Sequence, residues 1–132
     1  MNLTELAKEQ INNDNGFIKE NNYKIIKVEE NYCELEGKIT ETSLNPFGIA
    51  HGGFIFGLAD TAAGIAAMTN GKKAVTINST IDYLNPGKGK RLKAIAKSLK
   101  VGKSISNFEV YVYDEKNTLI AKSNVNYYYL DK

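Results

Sequence analysis

The 132-residue chain has one cysteine, one histidine, two prolines and no tryptophan. A lone Cys33 cannot form an intramolecular disulfide, and Cys33 with His51 is too small a donor set for a zinc site. Neither a metal site nor a redox centre is expected. An excess of one charge is also missing, because 17 basic and 15 acidic residues leave a formal +2, with the lysines spread over the second half. Nucleic-acid binding needs a denser basic patch than that. A second domain has no room at this length, and 1–132 is read as one domain. The N-terminus, MNLTELAKEQINN, lacks the apolar stretch of a secretory signal and spaces Leu3, Leu6, Ala7 and Ile11 as an amphipathic helix. A cytoplasmic location is the resulting expectation. No βαβ alternation, internal repeat or low-complexity linker is visible.

Long apolar runs are confined to one place. From Phe54 to Met68 only Asp60 and Thr61 carry polar side chains. A membrane span takes about 20 apolar residues, whereas Asn70, Gly71, Lys72 and Lys73 end this run early. No membrane partner is expected, and the segment reads as a helix enclosed by protein. Tyr23–Val28 and Tyr32–Ile39 read as two short strands. Beyond the helix, Val75, Ile77, Ile81 and Tyr83 share one parity, opposite Thr76, Asn78, Thr80 and Asp82, which predicts a strand with Val75 and Ile77 on its buried face. LNPGKGK is a turn, and RLKAIAKSLKV a strand whose alternation slips midway, as at a bulge. Phe108, Val110 and Val112 mark a further strand, and Ala121, Ser123, Val125, Tyr127 and Tyr129 the last. Tyrosines 127 to 129 are expected as strand and interface surface. The pattern predicts an α+β chain in which an antiparallel sheet of about five to six strands wraps around a long central helix.

One such sheet covers only part of an all-apolar helix, so at least a dimer is expected. If the helix begins near Gly53, Asp60 lies about 10 Å along it at 1.5 Å per residue. A carboxylate there cannot meet the amides at the start of its own helix. A site that uses both must take them from different copies.

Asn45, Gly48, His51, Gly52, Gly53 and Asp60 stand in the spacing N-x-x-G-x-x-H-G-G-x-x-x-x-x-x-D. With LADTA at 58–62, TIDYLNPG at 80–87 and Gly102-Lys103, this resembles the hotdog-fold acyl-CoA thioesterases of the phenylacetate-degradation (PaaI-like) type, from about residue 35 onward. The resemblance implies hydrolysis of an acyl-CoA, aromatic or medium-chain, with no cofactor beyond the CoA of the substrate. It implies Asp60 as general base or nucleophile and the Gly52 amide as oxyanion donor, supported by Gly53. Asn45 would hold water or the thioester, His51 would fix the loop, and Thr76 would assist the water. Phe47 and Tyr83, with Phe54, Ile55 and Phe56, are candidate pocket walls. Lys88, Lys90, Arg91 and the Gly102-Lys103 turn are candidates for the CoA phosphates. The implied assembly is a homo-oligomer, a dimer or dimer of dimers. Two other readings of the fold are an acyl-thioester hydratase or dehydratase, which a lone His51 beside Gly52 fits poorly, and a non-catalytic acyl-CoA sensor, whose usual DNA-binding domain has no counterpart here.

Overall fold

The computed structural model describes residues 2–13 and 16–131, which form α1 (Leu3–Asn12), α2 (Phe17–Glu20), β1 (Tyr23–Glu29), β2 (Tyr32–Lys38), α3 (Gly52–Ala67), β3 (Ala74–Tyr83), β4 (Arg91–Val101), β5 (Ile105–Asp114) and β6 (Leu119–Tyr129). Short turns make β1 and β2, β4 and β5, and β5 and β6 antiparallel neighbours. At two of them Asn31 and Asn117 take positive φ, 57° and 62°, a conformation that asparagine tolerates better than most residues. The six strands form one sheet in the order β1-β2-β4-β5-β6-β3. The expected hotdog arrangement is present, with β1 and β3 at the two edges.

The sheet curls around α3. Phe54, Ile55, Leu58, Ala59, Ala62, Ala63, Ala66 and Ala67 are the buried stripe of that helix. Its alanines let the strands approach closely, and Leu35, Leu92, Phe108, Val110, Val112 and Val125 fill the other side of the core. The run Gly52–Asn70 would pass for a membrane span on length and composition. Here it is the core helix. Four tyrosine hydroxyls tie it down from the strands: Tyr83 donates to Gly52 O at 2.8 Å, Tyr23 to Phe54 O at 2.7 Å, Tyr127 to Asp60 O, and Tyr129 to Ala67 O at 2.9 Å. Tyr127 and Tyr129 are therefore core residues, not the interface surface expected from the sequence.

Helix α1 packs Leu3, Ala7 and Ile11 on the core, as its spacing predicts, whereas Leu6, expected with them, is 44% exposed. Thr4 pins it to β1: its hydroxyl donates to Val28 O at 3.0 Å and accepts from Val28 N at 2.9 Å. The slip expected in β4 is a register shift between Ser98 and Lys100.

Strand β3 departs from the expected parity. Its pairing with β6 shifts between Thr76 and Asn78, leaving Ile77 as the extra residue of a bulge. The phase of the strand changes there. Val75 and Ile77 are 44% and 51% exposed instead of buried, while Thr76 before the bulge and Ser79, Ile81 and Tyr83 after it turn toward the helix side. Two apolar side chains thus lie in the open on an edge strand of 10 residues.

The far side of α3, carrying Phe56, Asp60, Thr61, Gly64 and Ile65, is only half-buried in the single chain. The helix is not covered all round by its own sheet.

Candidate active site

Residues 44–51 form a loop closed by the Leu44–Ala50 bridge and shaped by Asn45. The Asn45 side-chain oxygen accepts from Phe47 N at 2.9 Å and Ile49 N at 3.3 Å. A turn this tight needs the positive φ of 79° at Gly48, where glycine carries no steric penalty. Asn45 Oδ1 is spent inside the loop, so only its NH₂ group is left for a ligand. Phe47, at the tip, is 86% exposed.

The loop delivers His51 as the cap of α3. His51 Nδ1 accepts from Gly53 N at 2.8 Å, which leaves Nε2 as the N–H of the neutral ring. Phe54 N and Ile55 N donate to His51 O at 3.0 and 3.2 Å. Three of the four N–H groups at the helix start are therefore taken. Of these four, only the Gly52 N–H has no acceptor among the described residues, and it sits at the positive end of the helix dipole. The Gly53 amide is committed to the cap, so any support it gives to Gly52 passes through His51.

Asp60 lies eight residues beyond Gly52, about 12 Å along the axis. Its Oδ1 accepts from Thr76 Oγ1 at 2.7 Å and, at 2.9 Å, shares the single Tyr127 O–H with the Asp60 backbone oxygen. Its Oδ2 has no partner among the described residues, and Asp60 lines a groove of about 340 Å³. Burial, and then the Asp60 carboxylate, push the Tyr127 hydroxyl up, which keeps it a proton donor. Tyr127 was not among the residues expected here. Its inward parity with Val125 was readable, but a tyrosine among three in a row does not show which one meets the acid.

The candidates thus fall into two groups within one chain. Gly52 and Tyr83 line one hollow with Ile55, Leu84 and Gly87, while Asp60 and Thr76 line another with Gly64, Ile65 and Tyr127. Of the remaining expected walls, Phe54 is a core residue whose ring is tilted against that of Tyr23, with centroids 5.4 Å apart.

Lys88 is exposed next to Gly87, which lines the Gly52 hollow, Lys90 is exposed with its N–H donating to Glu115 at 2.7 Å, and Arg91 pairs with Glu36 at 3.1 Å. Gly102 and the exposed Lys103 lie at the opposite end of β4, roughly 30 Å away along an 11-residue strand. One chain does not bring the two basic groups together. Gly102 has a structural task of its own, since a Cβ there would stand 2.4 Å from the carbonyl oxygen of Ile105. Gly102→Ala is expected to lower stability by about 1 to 3 kcal/mol, measured by urea unfolding, because the hairpin backbone must move. Cys33 is fully buried, and burial pushes its thiol up to about 12, which removes it as a nucleophile.

A thioesterase superfamily model matches residues 47–121. The acyl-coenzyme A thioesterase PaaI of Escherichia coli K12 is 33% identical over 98 residues, covering 74% of this chain and 70% of its own length. A protein of Archaeoglobus fulgidus is 33% identical over 99 residues, covering 74% of this chain but 64% of its own, so the chain spans about two thirds of these curated relatives. The solved structure of the E. coli PaaI protein from the phenylacetic acid degradation operon superposes with a TM-score of 0.90 at 27% identity, over 98% of this chain and 97% of that one. A hypothetical thioesterase protein of Streptococcus pneumoniae, solved with coenzyme A, superposes with a TM-score of 0.80 at 27% identity, over 84% of this chain and 88% of that one. The family match runs through the loop tip, all of α3 and β3 to β5, and the chain belongs to the thioesterase superfamily.

Proposed function

We propose that the protein hydrolyses an acyl-CoA, with an aromatic or medium-chain acyl group, to the free acid and CoA in a site completed between two copies. One observation carries this reading: α3 holds an unpaired N–H at Gly52 and a half-free carboxylate at Asp60, too far apart to act on one carbonyl from the same chain. The half-buried face of α3, the open edge of β3 and the exposed Val75 and Ile77 supply a surface on which a second copy pairs. In that pairing Gly52 of one copy faces Asp60 of the other, and a dimer or dimer of dimers contains two or four such sites.

The chemistry follows from the groups. The thioester oxygen accepts from the Gly52 N–H, which stabilises the negative charge that develops there. Asp60 Oδ2 takes a proton from water as the water oxygen attacks the carbonyl carbon. Collapse of the tetrahedral intermediate breaks the carbon–sulfur bond, the proton held by Asp60 passes to the departing sulfur, and CoA leaves as the free thiol. In the other route Asp60 attacks directly, forming a mixed anhydride that water then hydrolyses. Thr76 and Tyr127 hold Oδ1 in both routes, fixing where Oδ2 points. Asn45 offers its NH₂ group to the thioester or water, and His51 keeps the helix start in shape. Phe47 and Tyr83 border the substrate, and exposed lysines at 88, 90 and 103 meet the CoA phosphates from different copies.

Free thiol release from a panel of aromatic and aliphatic acyl-CoAs tests the proposal. Turnover of at least one is expected, and none with any substrate would sink it. Tyr127→Phe removes one of the two hydrogen bonds that orient Asp60, and kcat is expected to fall about tenfold with KM little changed.

A further inference from the structure

A second apolar cavity, of about 290 Å³, lies between α1, α2 and the end of α3. Leu3, Ala7 and Ile11 of α1 form its roof. Ile18, Ile65 and Met68 line both this cavity and the groove that holds Asp60, so the two hollows share a rim. No charged side chain lines the cavity, and its apolar edge is open to water, with Leu6 44% and Met68 42% exposed.

We propose that this cavity receives the far end of the substrate's acyl chain, that the acyl group is accordingly a linear aliphatic one, and that α1 sets its length. The inference rests on the acyl-CoA reading above and chooses between the two acyl classes left open there. Helix phase supports the route. Asp60, Gly64 and Met68 follow at intervals of four on one face of the helical run, and Ile65 stands beside Gly64. Gly64 keeps the way past Asp60 low, since even a Cβ there would stand 3.2 Å from Tyr127 Oη. From Asp60 to Met68 the axis advances about 12 Å. An extended chain gains about 1.2 Å per bond, as three backbone bonds gain at most about 3.6 Å, so roughly ten carbons reach from a thioester at Asp60 to the cavity. An aromatic acyl group carries its ring within the first few bonds. It would stop in the Asp60 groove and leave the cavity unfilled. The Thr4 clasp on Val28 holds the roof at its first turn, which makes α1 a fixed stop for the chain end.

Binding and turnover test this separately. S-decyl-CoA, a thioether that cannot be hydrolysed, is expected to bind the wild type about 100-fold more tightly than S-ethyl-CoA, through the methylenes removed from water. Ala7→Phe fills the cavity and is expected to remove about tenfold of that gain, and to lower the decanoyl-to-butanoyl ratio of kcat/KM by a similar factor. Gln10→Trp, at an exposed position on the cavity wall, gives the same reading if Ala7→Phe does not fold. Equal affinity for the two thioethers, or an unchanged affinity and ratio in the folded variant, overturns the inference. So does a higher kcat/KM for phenylacetyl-CoA than for decanoyl-CoA. If no acyl-CoA is hydrolysed, the proposed enzymatic function fails, and the thioether affinities still decide the cavity.

Discussion

Asp60→Asn is expected to lower kcat by about three orders of magnitude while the protein still folds. The side-chain oxygen of asparagine can accept both hydrogen bonds that now reach Oδ1, from Thr76 at 2.7 Å and Tyr127 at 2.9 Å. The amide nitrogen takes the place of Oδ2, which has no partner among the described residues. The variant therefore changes one property, the ability to take a proton or attack a carbonyl. KM is expected to stay within about threefold, because the lost interaction acts at the transition state. The measurement is kcat and KM by thiol release, with a thermal melt as the control for folding. A variant that keeps most of its kcat would remove Asp60 from the mechanism under either route.

Mixing two inactive variants is expected to restore about a quarter of the wild-type activity. Gly52→Pro removes the unpaired N–H at a helix position where proline is tolerated. The residue before it already suits a proline, since His51 has φ −64° and ψ 141°. The added carbon atoms press on Tyr83, whose ring would lie 3.3 Å from a Cβ at this site, and that half-exposed side chain has room to shift. Loss of an oxyanion donor is expected to cost about 10²- to 10³-fold in kcat. Random exchange with Asp60→Asn subunits makes about half the dimers mixed, and each mixed dimer has one site free of both changes. If each site belonged to a single chain, every site would keep one lesion and the mixture would stay inactive. Heterodimer formation is checked by native mass spectrometry, so that a silent mixture is interpretable.

How far the sequence carries depends on where side-chain type and backbone phase coincide. On α3 they do: an apolar run with a lone acid, glycines at its start and Lys72 and Lys73 at its end reads as a core helix with a special start. The alternation of β5 and β6 was readable for the same reason, because small and apolar residues at every second position leave one buried face. Strand β3 was misread at Val75 and Ile77. Apolar residues at odd positions suggest an unbroken pleat, but the bulge is a property of pairing with β6, and nothing in the β3 letters marks it. Exposed valine and isoleucine on an edge also imitate a buried face, because their side chains are the same on either side of the strand. The link from Tyr127 to Asp60 joins residues 67 apart in sequence, a separation that no local pattern reports. The role of Gly102 was masked differently, since a glycine that only avoids a neighbouring carbonyl looks the same as one that makes room for a ligand.

The bulge at Ile77 has a consequence for the way β3 serves α3. Thr76 and Tyr83 are seven residues apart, an odd interval, and an unbroken strand would point one of them at the helix and the other away. With one residue looped out, both face inward. The strand grips the helix at two stations, the acid through Thr76 and the helix start through the Tyr83 bond to Gly52 O. The extra residue works as a half-step phase shifter. It lets one edge strand keep the acid and the amide in fixed mutual alignment, although in the proposed pairing each serves a different reaction centre.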